Sequence, residues 1–231
     1  QLPDDLEAEW QSWCSDLSNL KQLSFPRCSL TDSEATWQLH IFCDASPKAY
    51  GACAYLRTQG DSEVGNANLI FAKSRVAPLK AMSLPRLELM AALIGSRMAK
   101  YLHTALNQAT AVYFWSDSTI ALCWVRGTAK QWKPFVENRV TEIQSSSSPE
   151  SWRHCPGADN PADCLTRCMR AECLRTNTLW WKGPSWLQQN SQFWPAKEAD
   201  NVCHSHEADD EKRTRTTQLL TETTDTTPLL Q

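Results

Sequence analysis

Ala111-Val112-Tyr113-Phe114-Trp115-Ser116-Asp117-Ser118 is the stretch that decides the architecture. Its unbroken run of strand-forming residues reads as a strand buried on both faces, hence central and parallel to a neighbour. The run ends in an acid. A second run, Leu39-His40-Ile41-Phe42-Cys43-Asp44, ends the same way. Carboxylates at strand ends and helix starts can converge at one edge of a sheet. Clustered carboxylates repel unless a cation holds them, so the pattern points to a divalent-metal site.

The elements around these runs follow from periodicity. Trp37–Asp44, Tyr50–Arg57 and Asn68–Ser74 read as three strands, with turn chemistry at Thr58-Gln59-Gly60-Asp61. Residues 84–106 read as a long helix opened by Ser83 and Pro85, with Leu87, Met90, Ala91, Ile94, Met98, Tyr101, Leu102 and Ala105 as its buried stripe. Glu88 lies beside that stripe near the helix start. After the central strand, Asp117-Ser118-Thr119 offers a cap to a helix over Ile120–Arg126. Lys133–Gln144 reads as a further helix, Ser145–Ser148 as a loop and Ser151–His154 as a short fifth strand. Asn160-Pro161-Ala162-Asp163 opens a last helix through Arg167. The expected order is β-β-β-α-β-α-α-β-α.

Four segments are expected. Residues 1–36 form an N-terminal connector, with Leu6, Trp10, Trp13, Leu17 and Leu20 at helical spacing before a loop through Pro26 and Cys28. Residues 37–175 form the catalytic-type domain. Residues 176–196, holding Trp180, Trp181, Trp186 and Trp194, form an irregular Trp-rich wrap. Residues 197–231 are polar and Thr-rich and read as a disordered tail.

The chain of 231 residues suffices for one sizeable core. No apolar run approaches the about 20 residues that span a bilayer, and the acidic N-terminus carries no secretory signal. The missing initiator Met points to a piece of a longer chain. Net charge is −3, unevenly spread: residues 37–175 carry 16 basic and 11 acidic side chains, whereas residues 1–36 carry 2 and 7. The acids of interest sit in the one basic region, which suits a polyanionic substrate. Cys43, Cys53 and Cys123 lie inside apolar patterns and read as buried free thiols in a reduced compartment. Cys155, Cys164, Cys168 and Cys173, with Cys203-His204-Ser205-His206, lack CxxC spacing and make a weak zinc pattern.

The strand-helix order with acids on the first strand, first long helix, fourth strand and last helix resembles the ribonuclease H fold and its Asp-Glu-Asp-Asp quartet. Phe42-Cys43-Asp44-Ala45-Ser46, Leu84-Pro85-Arg86-Leu87-Glu88-Leu89, Trp115-Ser116-Asp117-Ser118 and Asn160-Pro161-Ala162-Asp163 resemble the RNase H-like region of BEL/Pao-type retrotransposon Pol polyproteins. So does Leu179-Trp180-Trp181-Lys182-Gly183-Pro184, followed by Trp186-Leu187. The resemblance covers residues 1 to about 195. It implies an α/β, RNase H-like fold: a five-stranded mixed sheet flanked by helices. It implies catalytic and metal-ligating roles for Asp44, Glu88, Asp117 and Asp163, with Asp44 bridging two Mg²⁺ (or Mn²⁺) ions, Glu88 and Asp117 on one and Asp163 on the other. The implied reaction is endonucleolytic hydrolysis of the RNA strand of RNA–DNA hybrids, read by shape and 2′-hydroxyls. Reverse transcriptase and integrase regions of the same polyprotein are the implied partners. No membrane is implied, and the implied location is intracellular: cytoplasm, virus-like particle or nucleus.

Each residue also has a plain structural reading. Asp44 and Asp163 cap turns and helices in many proteins, Asp117 precedes a helix and Glu88 fits a solvated face. His154 lies nine residues before Asp163, about one short of the spacing of a loop histidine that aids product release in cellular relatives, so orienting the loop is an equal role. Asn160 either contacts the hybrid or holds its turn. Ser118 and Ser46 either meet phosphate or act as local caps. Lys73, Arg75, Lys80, Arg86, Lys130 and Lys133 are candidate backbone contacts or ordinary surface cations. Trp124 and Trp132 either stack on bases or pack in the core.

Two other function classes stay in view. A non-catalytic connector or docking module would be signalled by loss of an acid, and all four are present. Domains of this type have carried a peptidase label, yet an aspartic peptidase needs Asp-Thr/Ser-Gly, and here Asp117-Ser118-Thr119-Ile120 and Asp44-Ala45-Ser46 lack the Gly. No Gly-x-Ser-x-Gly occurs for a serine hydrolase. An integrase would place its Glu last, whereas Glu88 comes second.

Overall fold

The computed structural model describes residues 3–24, 36–59, 65–106, 111–167, 169–196 and 210–213. The expected linkers at Pro26–Cys28 and Gly60-Asp61, Cys168, the Cys203–His206 cluster and most of the tail lie outside the described residues.

The strands are β1 (Thr36–Ala45), β2 (Ala49–Gln59), β3 (Asn66–Val76), β4 (Ala111–Ser116) and β5 (Trp152–His154). The helices are α1 (Asp4–Asp16), α2 (Leu84–Leu106), α3 (Thr119–Arg126), α4 (Pro134–Ser146), α5 (Asp163–Thr166), α6 (Ala171–Thr176) and α7 (Thr178–Lys182). The sheet order is β3-β2-β1-β4-β5. β1, β2 and β3 pair antiparallel, while β4 and β5 run parallel to β1 and to each other. The apolar run Ala111–Ser116 is thus a parallel strand between β1 and β5. α4 runs two residues past the expected end, into the serine stretch.

Alternation along β1 assigns its side chains to two cores. Leu39, Ile41 and Cys43 face α2, α3 and α4 and join Leu89, Leu93, Val136 and Val140. Phe42 faces the other side and joins Tyr55, Trp115, Trp180, Trp186 and Trp194. The Trp-rich segment therefore supplies the second cover of a sheet whose strand β1 is buried on both faces. Buried Arg57 pins it there, donating to the carbonyls of Leu187 at 2.8 Å and Gln189 at 3.0 Å. Gly183, at φ +72°, ends α7 in the left-handed region that glycine enters without strain. Gly95 lets α2 approach β1, since a Cβ there would stand 2.5 Å from the Cys43 sulfur.

The N-terminal helix forms, but its apolar stripe is not buried: Leu6, Trp10 and Trp13 are exposed. The segment attaches through its end, where the Asp16 carboxylate accepts from the Ala171 N–H at 2.7 Å. That hydrogen bond holds the Asp16 carboxyl below its ordinary range. Among the described residues, no helix is long and apolar enough to cross a membrane.

Candidate active site

β1 and β4 end their pairing with Cys43 opposite Ser116. The next residue on each side is an acid: Asp44 within β1 and Asp117 just past the end of β4. The two acids therefore leave neighbouring strands about 4.8 Å apart. His154 pairs opposite Ser116 from β5 and joins the same edge. This is the carboxyl end of the parallel strands, where open α/β sheets place their ligands.

Asp44 is 7% exposed. Burial pushes its carboxyl up to about 6, and the charges of Asp117 and Asp163 push the same way. The Thr166 hydroxyl opposes them, donating to Oδ2 at 2.5 Å. Burial also raises the Asp117 carboxyl, with Asp163 adding to the shift and Asn160 and His154 opposing it. Asn160 is wholly buried. Its Nδ2 donates to the Cys43 carbonyl at 3.0 Å and to Asp117 Oδ1 at 3.4 Å, while its Oδ1 accepts from the Ala162 N–H at 3.1 Å. These contacts hold the turn before Asp163.

Ser118 follows Asp117 and opens α3. Its Oγ caps α3, accepting from the Ala121 N–H at 3.1 Å, and donates a short hydrogen bond to Glu88 Oε2. The capping role belongs to Ser118, which leaves the Asp117 carboxylate for the edge. Glu88, in the first turns of α2, reaches that edge from the opposite face. Asp163 opens α5 and accepts from Arg167 Nε at 2.6 Å. Both side chains of that pair are exposed, so it is worth little. Ser46 acts as a local cap, accepting from the Ala49 N–H at 3.2 Å and donating to the Thr166 carbonyl at 3.0 Å.

The fold thus brings Asp44, Asp117 and Asp163 within electrostatic reach of one another. Asp117 also lines a groove of about 720 Å³ shared with Glu88, Ser118, Arg86, Trp124 and Glu211. Asp44 and Asp163 are not part of that lining. Among the described residues, no group of three or more His, Cys, Asp or Glu side chains is arranged as a metal cage. The four acids nonetheless suit a hard divalent ion: they offer oxygen alone, and Asp44 and Asp117 carry charge that their neighbours oppose. Mg²⁺ commonly takes one or two protein carboxylates, with water and substrate phosphate completing its shell.

Sequence reading missed Thr166 and Arg167. Their signal is their spacing of three and four from Asp163, one helical turn on. Trp124 and Trp132 pack in the core, as the sequence favours, each at 1% exposure. Cys43, Cys53 and Cys155 are buried free thiols, while Cys123 is only half-buried. His40 is buried and accepts from the Trp115 indole at 3.1 Å. Burial drives its pKa far down, so it is a neutral core group.

The sequence model of the Pao retrotransposon-like RNaseH-like domain matches residues 1–118, half of the chain. The chain belongs to this family. Its five-stranded mixed sheet with flanking helices is the RNase H-like fold. Among solved structures, the N-terminal RNase H domain of a Mycobacterium tuberculosis protein is 18% identical, with 54% of this chain and 86% of that one covered and a TM-score of 0.39. RNase H1 of Halobacterium salinarum is 12% identical, covering 54% and 89%, with a TM-score of 0.33. LC11-RNase H1, solved in complex with an RNA/DNA hybrid, is 13% identical, covering 54% and 88%, with a TM-score of 0.36. No curated protein matches the chain. The family match spans Asp44, Glu88 and Asp117 and stops before Asp163.

Proposed function

We propose that this Pao-type domain is a metal-dependent ribonuclease that hydrolyses the RNA strand of RNA–DNA hybrids, with Asp44, Glu88, Asp117 and Asp163 as its catalytic carboxylates. The observation that carries the reading is the Cys43–Ser116 register, which puts two acids abreast at the ligand edge of the sheet. Mg²⁺ or Mn²⁺ ions, when bound, supply an activated water and neutralise the leaving oxygen. The chain supplies position. Asn160 ties the Asp163 turn to β1 and to Asp117. Thr166 fixes the Asp44 carboxylate, and Ser118 fixes Glu88. His154, whose charge bears on Asp117, orients the loop that runs on to Asn160.

In this reading residues 37–175 carry the chemistry, residues 176–196 cover the second face, residues 1–36 connect, and residues 197–231 form the tail. The domain acts inside the cell during reverse transcription, beside the reverse transcriptase and integrase regions of one polyprotein. A non-catalytic docking module is the second reading; the exposed Asp163–Arg167 pair is too weak to decide for it.

The test is cleavage of a labelled RNA–DNA hybrid with Mg²⁺ or Mn²⁺. RNA-strand cutting that disappears in Asp44→Asn and in EDTA supports the proposal. A folded protein that cuts with neither metal sinks it in favour of the docking module.

A further inference from the structure

The outer wall of the groove is built in part by a segment distant in sequence. Residues 210–213 lie along the start of α4. The Lys133 N–H donates to the Glu211 carbonyl at 2.7 Å, and the Arg213 N–H donates to the Gln131 carbonyl at 2.9 Å. Lys133 Nζ donates to the Asp210 carbonyl at 2.5 Å, and Arg213 pairs with Glu137. These contacts fix the backbone and carry Asp210 and Glu211 into the groove that Glu88 and Asp117 line.

Glu211 is 9% exposed. Its Oε1 takes the Arg86 guanidinium, with Nε and Nη2 both at 2.7 Å. Its Oε2 is buried and, among the described residues, has no hydrogen-bond partner. A buried carboxylate satisfied at one oxygen only is poorly matched to its surroundings. Arg86 is well placed apart from this acid. Its guanidinium lies over the Phe135 ring at 4.8 Å, and Arg139 lies over the same ring at 3.5 Å. Arg139 is engaged by the Phe135 carbonyl and the Met90 sulfur, so Arg86 is the fork that faces the groove. Arg86 also stands two residues before Glu88, at the lip of the proposed site. An arginine fork on a ring, aimed into a groove, matches the oxygens of a phosphodiester.

We propose that Arg86 is a phosphate subsite for the nucleic-acid strand entering the groove, and that the Glu211 carboxylate occupies it as a stand-in, so that residues 210–213 form a strap competing with the strand. The inference rests on the hybrid-substrate reading above and adds a residue to it. A strand reaching Asp117 must take Arg86 from Glu211. The strap lowers affinity for every strand alike, because the phosphate contact carries no sequence.

The experiment uses the full chain and a fluorescent RNA–DNA hybrid, with Ca²⁺ replacing Mg²⁺ to spare the strand. Affinity is read by anisotropy across a salt series. Glu211→Gln is expected to tighten binding about tenfold, the worth of one charge-assisted contact, and to steepen the salt dependence by about one phosphate contact. Arg86→Ala is expected to weaken binding and to erase the Glu211→Gln gain in the double variant. Arg86→Lys keeps the charge without the fork and serves if Arg86→Ala fails to fold, and it too must shrink the gain. Asp5→Asn, on exposed α1, changes net charge equally and must leave affinity unchanged. Wild type that binds the hybrid with Glu211→Gln no tighter overturns the strap and leaves the substrate reading standing. A gain that persists without Arg86, or that Asp5→Asn reproduces, overturns the subsite. Failure of both wild type and Glu211→Gln to bind any hybrid removes the substrate reading and the inference with it.

Discussion

Replacing Asp44 by Asn is expected to make the metal-free protein more stable while removing its response to metal. The carboxyl stands at about 6 in the fold against an ordinary 3.8, chiefly through burial and then through Asp117 and Asp163. At about 1.4 kcal/mol per tenfold, holding it ionised costs the fold about 3 kcal/mol. Asn keeps one acceptor oxygen where Asp has two. It therefore loses one of the two donors, Thr166 or the Ala45 N–H, at about 1 kcal/mol. The net gain is about 2 kcal/mol, or about 4–8 °C in melting temperature for a chain of this size. The pH dependence follows from the sign. Below 3.8 the group is protonated in both states and costs nothing. As pH rises from there to about 6, the folded chain keeps a proton that the unfolded chain has released, so wild-type stability falls. Above that window the deficit is complete. Melting both proteins in EDTA from acid to pH about 8 tests this: the curves should converge in acid and separate through the window. Added Mg²⁺ at about a hundred times its Kd should return about 2.7 kcal/mol to wild type and little to Asp44→Asn. Equal melting temperatures at neutral pH, or an equal Mg²⁺ response, would refute the account of Asp44 as a charge awaiting a cation.

Thr166→Val should raise the Asp44 carboxyl further above about 6, because the hydroxyl now holds it down. The acid limb of the cleavage rate against pH should move upward, and a limb that stays put argues that Asp44 ionisation does not set it. Arg57→Ala should destabilise the protein by about 2–4 kcal/mol by stranding the Leu187 and Gln189 carbonyls, with faster hydrogen exchange over residues 185–189 than over β4 as its signature. Gly95→Ala should cost about 1–3 kcal/mol in chemical denaturation, since its Cβ meets the Cys43 sulfur and Ile41 Cγ2. A neutral result there would mean that α2 rides farther from β1.

The β1–β5 sheet, α2 and the order of the acids were legible because each rests on a local signal: an apolar run, a 3.6-residue stripe, an acid at a strand end. Ser83 and Pro85 also marked where α2 begins. The division of labour between Asp117 and Ser118 was not legible. Both residue types cap helices, and only the α3 geometry shows Ser118 accepting from Ala121 while donating to Glu88. Thr166 was invisible for a different reason. Its contact with Asp44 joins residues 122 positions apart, and nothing in either local sequence announces it. The helical spacing of Leu6, Trp10 and Trp13 gave the helix of α1 but not its surroundings: the stripe is exposed, because burial needs a partner surface and among the described residues none covers it. The approach of Glu211 to Arg86, again 125 positions apart, belongs with Thr166.

These long-range contacts differ in how completely they satisfy the groups they hold. Asn160, deep in the site, has its amide nitrogen and its oxygen both engaged, and it fixes the turn before Asp163. At the groove lip Glu211 has one oxygen engaged and one buried without a partner. The proposed hybrid substrate is a polyanion, and a site that admits one needs this gradient. The inner contacts position carboxylates that have to stay within a fraction of an ångström, so they gain from full satisfaction. In the proposed strap the outer contact is the one that gives way to a strand, and an incompletely satisfied acid yields its arginine to a phosphate more readily than a complete ion pair would. The same inequality explains why removing a charge at Asp44 and removing one at Glu211 have opposite meanings. Asp44→Asn relieves the fold and disables the site, whereas Glu211→Gln opens the site and leaves the four carboxylates in place.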